Sequence, residues 1–362
     1  MPEVADIVRL HGEAYRQKFR HVMTSAQKRA LQDIQHCRTP FFGGHVYQCG
    51  HCQEKVFSYH SCRNRSCPKC HHNQTQRWLA AQRQRLPACP YYLLTFTLPS
   101  ELHAVARSHP KMVYSLLMRA AADALQKLAG DPRYLGARIG ALAVLHSWTR
   151  GLLFHPHVHM LVTAGGLSFQ DSRWIQPRNP AFLVPVRALS ILFRAKFCAA
   201  LKKAGLLQFV SAAVWRKSWV VHSQHAGSGQ KVLDYLGRYV FRIAISNSRI
   251  DSIDAGKVAF HYRDNRTHLT RHVTLSGQEF LRRFLQHVLP RGSIKVRHYG
   301  ILSRRYRSSL VAIRAALASP ALPPTDFASP ATPVASQPRC PLCRIGLLTS
   351  VQRLLAVRNH SP

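Results

Sequence analysis

The hydrophobic and polar positions along the chain predict two kinds of element. In some segments apolar residues recur three and four positions apart, as on the buried face of a helix. Others are runs of aromatic and β-branched residues bounded by turn residues, which is typical of strands. The predicted helices are two within residues 2–36, then residues 78–85, 111–128, 186–204 and 278–289. The predicted strands are residues 91–98, 139–148, 152–163, 219–222, 258–262 and 272–275.

Two segments interrupt this pattern. Residues 37–75 are dense in Cys and His and lack apolar runs, so they cannot build a hydrophobic core of their own. Residues 318–339 are rich in Pro, Ala, Ser and Thr, as disordered linkers are. The predicted organisation is N-terminal helices over 1–36, a zinc-binding domain over 37–75, a larger domain over 90–310, and a disordered linker with a short tail over 311–362.

The composition indicates a polyanionic partner. The 362-residue chain carries 51 Lys and Arg against 15 Asp and Glu, a formal net charge of +36. Because the basic residues are spread along the whole chain, DNA or RNA is favoured over a membrane surface. The sequence has neither a transmembrane run nor a signal-peptide pattern. We therefore expect a cytoplasmic protein whose ten cysteines are reduced, where clustered Cys pairs bind metal.

Four cysteines have the spacing of a structural zinc site. Cys49-Gly-His-Cys52 and Cys67-Pro-Lys-Cys70 are two Cys-x-x-Cys pairs with fourteen residues between them. Zn²⁺ prefers four thiolates in a tetrahedron, and such pairs usually supply two each. The sequence therefore predicts one zinc ion held by Cys49, Cys52, Cys67 and Cys70; the alternative is four reduced cysteines that serve only in packing.

Further cysteines and basic residues surround this predicted site. Cys37 and Cys62 are candidate ligands of a second zinc ion, whereas Cys340-Pro-Leu-Cys343 in the tail supplies only half a site. Basic residues interleave with the ligands, and a zinc ribbon with basic flanks often binds nucleic acid. The DNA-contact candidates here are Arg63, Arg65, Lys69 and Arg77.

A His-hydrophobic-His pair lies in the second strand of a predicted hairpin. Side chains alternate faces along a strand, so His157 and His159 point the same way and can chelate one divalent metal. The preceding strand contains His146, which would approach the pair across a tight turn and act as a third ligand. His155 and Asp234 are competing candidates. Mg²⁺ or Mn²⁺ suits a phosphate oxygen, but imidazoles also bind Zn²⁺, so the metal is left open.

Two tyrosines are spaced to share a helix face. Tyr235 and Tyr239 lie four residues apart in a segment predicted to be helical. A phenol is a poor nucleophile at its usual pKa of about 10 and needs activation, but a phosphotyrosine ester would store the energy of the broken phosphodiester. Core packing of an amphipathic helix is the alternative role. Arg238 and Arg242 are further DNA-contact candidates beside them.

Several motifs occur together in a fixed order between residues 30 and 310. They are Cys62-Arg-Asn-Arg-Ser-Cys67-Pro-Lys-Cys70, Leu93-Leu-Thr-Phe-Thr-Leu-Pro99, Val144-Leu-His-Ser-Trp148, His155-Pro-His-Val-His159, Tyr235-Leu-Gly-Arg-Tyr239, Phe284-Leu-Gln-His-Val-Leu-Pro290 and Arg297-His-Tyr-Gly300. In this combination the chain resembles the two-tyrosine HUH transposases of rolling-circle insertion sequences.

The resemblance implies a fold, a reaction, a site and a bacterial, nucleoid-associated protein. The fold would be α+β: a small zinc ribbon, followed by an HUH endonuclease domain whose antiparallel sheet forms a ferredoxin- or RRM-like palm with helices. His157 and His159 match the family's metal pair, and Tyr235 and Tyr239 match its nucleophiles. The implied reaction is nicking of single-stranded DNA at the element's end, with a 5′-phosphotyrosine and a free 3′ hydroxyl, followed by transfer to a target.

One position departs from the family pattern. Val240-Phe241 follows the second tyrosine where the family commonly carries Thr-His, so a polar role there is absent or has moved. Two alternatives therefore stay open. One is a catalytically inactive zinc-ribbon DNA-binding protein, and the other is a replication initiator or relaxase that uses the same chemistry.

Overall fold

The protein has an α+β fold with antiparallel sheets, as the sequence predicts. The computed structural model describes residues 1–70, 72–171, 173–179, 183–227, 231–232, 237, 243–264, 267–317 and 337–357. Its helices are α1 (Val4–Phe19), α2 (Ser25–Gln35), α3 (His72–Arg83), α4 (His103–Ser108), α5 (Pro110–Ala129), α6 (Val186–Lys203), α7 (Gly277–Leu285) and α8 (Arg307–Leu317). No helix within the described ranges is long and apolar enough to cross a membrane.

The strands form three sheets. In chain order they are β1 (Gly44–Cys49), β2 (Lys55–Tyr59), β3 (Tyr91–Thr97), β4 (Ala137–Trp148), β5 (Phe154–Ser168), β6 (Trp174–Ile175), β7 (Val221–Gly227), β8 (Ile250–Asp254), β9 (Lys257–Arg263), β10 (Thr270–Ser276), β11 (Val296–Gly300) and β12 (Leu348–Leu354). The sheet orders are β12-β1-β2, β10-β9-β8 and β11-β4-β5-β3-β7, with β6 paired to β5.

The six-stranded sheet is the largest layer, and helices cover both of its faces. On one face Phe96, Ala143 and Met160 join a core that includes residues of α5 and α6. On the other face Val144 and Leu161 join a smaller cluster with residues of α3. The predicted hairpin of β4 and β5 is confirmed and lies at the centre of this sheet.

A second core joins the N-terminal helices to the C-terminal part of the large domain. Helix α2 begins at a capping box, in which the Thr24 hydroxyl accepts a hydrogen bond from the Gln27 amide. Ile7 and Ile34 pack with Phe260 and Phe280 between the two helices, α7 and the three-stranded sheet of β8, β9 and β10. The N-terminal helices and the large domain therefore share one hydrophobic core.

The expectation for the C-terminal segment is wrong in part. Of the expected disordered linker, residues 318–339, all but the last three residues lie outside the described residues. Residues 307–317, however, form α8, and β12 pairs with β1 from Gly44↔Leu354 to Cys49↔Leu348. The tail is therefore a strand of the zinc-domain sheet, and that domain extends beyond residues 37–75. Sequence patterns miss this pairing because β12 has too few buried side chains to show period-two alternation.

Candidate functional site

The register of the central hairpin brings three histidines together. His146 on β4 lies directly opposite His157 on β5, and His159 lies two residues further along the same face. One ring nitrogen from each lies within 4.8 Å of the other two, a spacing that allows all three to hold one metal ion. The sequence-predicted set is therefore found in one place, while His155 falls outside the group.

Hydrogen bonds at Nδ1 orient two of these rings. The Nδ1 of His157 donates to the carbonyl oxygen of His155 at 2.7 Å, since a carbonyl can only accept. The Nδ1 of His159 lies 3.1 Å from the hydroxyl of Thr95, its partner on β3. A neutral imidazole with hydrogen on Nδ1 carries its lone pair on Nε2. The two Nδ1 contacts therefore favour Nε2 as the metal ligand in both rings.

The third histidine is held by burial and stacking. His146 is only 3% exposed, whereas His157 and His159 are half-buried. Its ring stacks on Trp148 with centroids 5.0 Å apart, and the ammonium of Lys295 lies 5.3 Å from the Trp148 ring centroid. The centre therefore has a dry side at His146 and a more accessible side at His157 and His159, where a phosphate could approach.

Beside the histidines, the same sheet face carries part of the tyrosine segment. Val232 is 2% exposed and packs in the cluster that contains Val144 and Leu161. Val144 lies two residues before His146, and Leu161 lies two residues after His159. A Cβ built on Gly237 would lie 3.1 Å from Leu79 of α3, so this residue is also close to the cluster. Tyr235, Tyr239, Asp234, Arg238 and Arg242 lie outside the described residues.

The predicted zinc ligand set is wrong in its pairing. Cys67 and Cys70 join Cys37 and Cys62, with ligand atoms within 4.8 Å of one another. The Sγ atoms of Cys37 and Cys62 each lie 3.5 Å from the Sγ of Cys70. We call this group the first cluster. Its members come from the end of α2 and from the loop before α3, so Cys37 and Cys62, and not Cys49 and Cys52, lie beside Cys67 and Cys70.

A second cluster contains the other predicted pair. Cys49 and Cys52 face Cys340 and Cys343, again within 4.8 Å. The Sγ atoms of Cys49 and Cys343 lie 3.6 Å apart. The error has a physical reason. The spacing shows that each Cys-x-x-Cys pair supplies half of a metal site, but it does not show which two pairs come together. Here the pairing of β12 with β1 brings Cys340 and Cys343 to Cys49 and Cys52. The tail's matching Cys-x-x-Cys was the available signal.

Backbone amides lower the pKa values of two thiols in the second cluster, those of Cys49 and Cys343. Amide donation from Gly346 is the main reason that the pKa of Cys343 falls to about 6, and donation from Cys52 lowers the pKa of Cys49. The corresponding N–H···S distances are 3.4 Å and 3.5 Å. Thiolates are the form that binds Zn²⁺, so this environment suits a structural zinc site.

Two of the DNA-contact candidates are engaged within the protein. The guanidinium of Arg65 donates to the carbonyls of Leu289, Pro290 and Ser293 at 2.7–2.8 Å. Lys69 forms an ion pair with Glu3. These two side chains hold the first cluster against the rest of the fold. The side chain of Arg77, like Arg238 and Arg242, lies outside what the structure describes.

Arg63, in contrast, is exposed and lines a broad basic groove. The groove has a volume of about 1520 Å³ and lies between α2, the first cluster and the loop after α7. Seven Lys and Arg residues line it, against a single acidic residue among the described lining, Asp33. Phe41 and His36 stack within it, with ring centroids 4.3 Å apart. The groove was not predicted, because its basic residues come from four separate segments.

Comparison with known proteins identifies relatives over most of the chain. Residues 140–309 match a family model described as "Putative transposase", and residues 7–98 match one described as "Transposase zinc-binding domain". The chain is 43% identical to "Putative transposase y4qJ" of Sinorhizobium fredii, over 86% of this chain and 83% of that relative. It is 32% identical to "Transposase for insertion sequence element IS801" of Pseudomonas savastanoi pv. phaseolicola, over 74% of this chain and 68% of that relative. No solved structure matches.

Proposed function

The chain belongs to the family of transposases that includes the IS801 transposase and carries the IS91-type zinc-binding domain, and on this premise we propose that it nicks and joins single-stranded DNA at insertion-sequence ends. The observation that carries the proposal is the convergence of His146, His157 and His159 on one sheet face, the face against which Val232, three residues before Tyr235, also packs.

The histidines would hold a divalent metal at the scissile phosphate. A metal on a non-bridging oxygen polarises phosphorus and offsets the developing negative charge. Three imidazoles are a borderline donor set, which favours Mn²⁺ over Mg²⁺ because Mg²⁺ prefers oxygen ligands. Thr95, through Nδ1 of His159, would keep that ring in the orientation needed for binding.

The tyrosines would carry the covalent steps. In the first step a phenolate oxygen bonds to phosphorus, and the bond to the 3′ oxygen breaks; that oxygen takes up a proton and leaves as a free hydroxyl. In the second step a 3′ hydroxyl attacks the 5′-phosphotyrosine, and the phenol is released. Two tyrosines permit two such exchanges, so strands are opened and rejoined without an external energy source.

The basic groove is the proposed path of the DNA strand beyond the cleaved bond. Its cationic lining suits a phosphate backbone, and the Phe41–His36 stack offers a surface for an unpaired base. The loop that lines the groove at Arg291 leads to Lys295, which lies over Trp148 and so beside His146. A strand in the groove would therefore run towards the histidines.

Arg63→Ala should weaken binding of single-stranded DNA and reduce the slope of log affinity against log salt by about 1, as loss of one phosphate contact does. Thermal stability should not change, since Arg63 is exposed. The matched variant is Arg65→Ala, which removes three hydrogen bonds to carbonyls and should cost about 2 kcal/mol of stability. Fluorescence anisotropy across a salt series and thermal unfolding measure both. A salt slope for Arg63→Ala equal to that of the unaltered chain would contradict the groove assignment.

A labelled single-stranded oligonucleotide that carries the element's end tests the proposed function. We expect a covalent protein–DNA adduct that resists denaturation, requires Mn²⁺ or Mg²⁺, and disappears when Tyr235→Phe and Tyr239→Phe are combined. Salt-dependent binding without an adduct under any metal would instead indicate a DNA-binding protein without catalysis. An adduct that forms on plasmid origins but not on element ends would indicate a replication initiator or relaxase.

A further inference from the structure

The two halves of the second cluster have the same local geometry. In each Cys-x-x-Cys knuckle, the residue after the second cysteine has a positive φ, 58° at Gln53 and 60° at Arg344. In each, the amide of that residue donates to the carbonyl of the first cysteine, at 3.1 Å to Cys49 and 2.9 Å to Cys340. With this turn, both thiols of each knuckle lie within reach of one ion, as the tetrahedral thiolate coordination of zinc requires. Two such turns that face each other supply four Sγ atoms, enough for one tetrahedral zinc site.

Close backbone contact holds the two knuckles together. Gly346 follows the tail knuckle, and a Cβ built on it would lie 2.4 Å from the Sγ of Cys49 and 2.7 Å from the Cβ of His51. The amide of Gly50 donates to the carbonyl of Leu347 at 3.0 Å, so the contact is also hydrogen-bonded. Only glycine fits at position 346 when the knuckles are this close.

Apolar packing contributes little to this part of the molecule. Among the described residues, the buried members of the local cluster are Cys49, Cys340 and Leu348, and most of β12 is exposed. A three-stranded sheet with so small a core needs another source of stability, and in small domains a metal usually supplies it. The four thiols, which lie within 4.8 Å of one another, provide the site for one.

We propose that the second cluster binds a structural zinc ion of its own, which clasps the C-terminal tail to the zinc-binding domain. The ligands are Cys49 and Cys52 from the N-terminal side and Cys340 and Cys343 from the tail, so the domain is completed only by residues 337–357. These tail residues lie outside both matched family segments, 7–98 and 140–309. The first cluster binds a separate ion, which gives two zinc ions per chain.

The zinc stoichiometry of the purified full chain tests the clasp. If the two Cys-x-x-Cys pairs of the second cluster bind one ion together, loss of either pair should remove the same single ion. The unaltered chain should contain two equivalents of zinc by elemental analysis. Cys340→Ser with Cys343→Ser should leave one, and so should Cys49→Ser with Cys52→Ser. Combining all four substitutions should still leave one equivalent. A single equivalent in the unaltered chain, two in the tail variant, or loss of both ions in the quadruple variant would overturn the proposal.

A glycine pair tests the same contact without removing any ligand. Gly346→Ala places a methyl group against the Sγ of Cys49 and should lower the zinc content to one equivalent. Gly50→Ala is the matched control, because its Cβ would meet only a carbonyl oxygen at 3.8 Å, and it should retain two. Equal zinc content in the two variants would contradict the clasp.

A chain with a protease site inserted between residues 320 and 335 reports on the clasp directly. After cleavage the tail fragment should co-elute with the rest of the protein and separate when a chelator removes zinc. A fragment that separates before chelation, or one that stays bound after complete zinc removal, would contradict a zinc-dependent clasp.

Discussion

DNA strand cleavage should fall by at least about 10³-fold when His157→Ala and His159→Ala are combined, equivalent to about 4 kcal/mol of transition-state stabilisation. Two of three imidazoles are then missing, and a single buried histidine cannot hold a divalent ion. The measurement is the rate of adduct formation on a labelled oligonucleotide at saturating Mn²⁺. DNA affinity should change little, because the basic groove is untouched.

His225→Ala is the matched control for this experiment. His225 lies on β7 of the same sheet, but its ring packs edge-on against Tyr92, whose side chain joins the core on the opposite face. Its loss should leave the rate unchanged. Thr95→Val should have an intermediate effect and weaken metal binding by about 10-fold, since it removes the hydroxyl beside Nδ1 of His159. A double histidine variant with the original metal-dependent rate would show that the metal binds elsewhere.

The second large effect is expected at the first cluster. Cys67→Ser should abolish zinc binding there and unfold the N-terminal helices from the rest of the protein. Cys37 and Cys67 are each 1% exposed and belong to the core that joins α1 and α2 to α7. Structural zinc contributes about 10–16 kcal/mol of apparent binding free energy in small domains, comparable to the whole stability of a typical domain.

Circular dichroism, thermal unfolding and zinc content measure this effect together. The variant should lose one zinc equivalent, part of its helical signal and the cooperative transition of the N-terminal core. Cys198→Ser, at an isolated and partly buried thiol on α6, should change none of the three. A Cys67→Ser chain that keeps its zinc and its unfolding transition would contradict the structural role of this cluster.

The local part of the candidate site could be predicted from sequence. Strand alternation places His157 and His159 on one face, and a hairpin with a tight turn brings His146 opposite His157. Both follow from contacts between residues close in sequence. The long-range parts could not be predicted in the same way: 294 residues separate Cys49 from Cys343, and their meeting depends on strand pairing that leaves almost no hydrophobic pattern.

The roles of the basic residues show the same limit. Arg63 and Arg65 are two residues apart and equally charged, so their sequence context gives them the same DNA-binding prediction. Both residues border the groove, but they differ because the loop after α7 presents three carbonyls to the guanidinium of Arg65, while the side chain of Arg63 is exposed. A contact between segments more than 220 residues apart decides the difference.

The central claim is that a tyrosine of the chain becomes covalently bonded to the 5′ phosphate of a cleaved strand. The most direct measurement is mass-spectrometric mapping of the adduct formed on a suicide oligonucleotide in Mn²⁺. The account predicts a phosphotyrosine at Tyr235 or Tyr239 and no adduct in a chelator. An adduct on any other residue, or intact DNA bound without covalent linkage under every divalent metal, would contradict it.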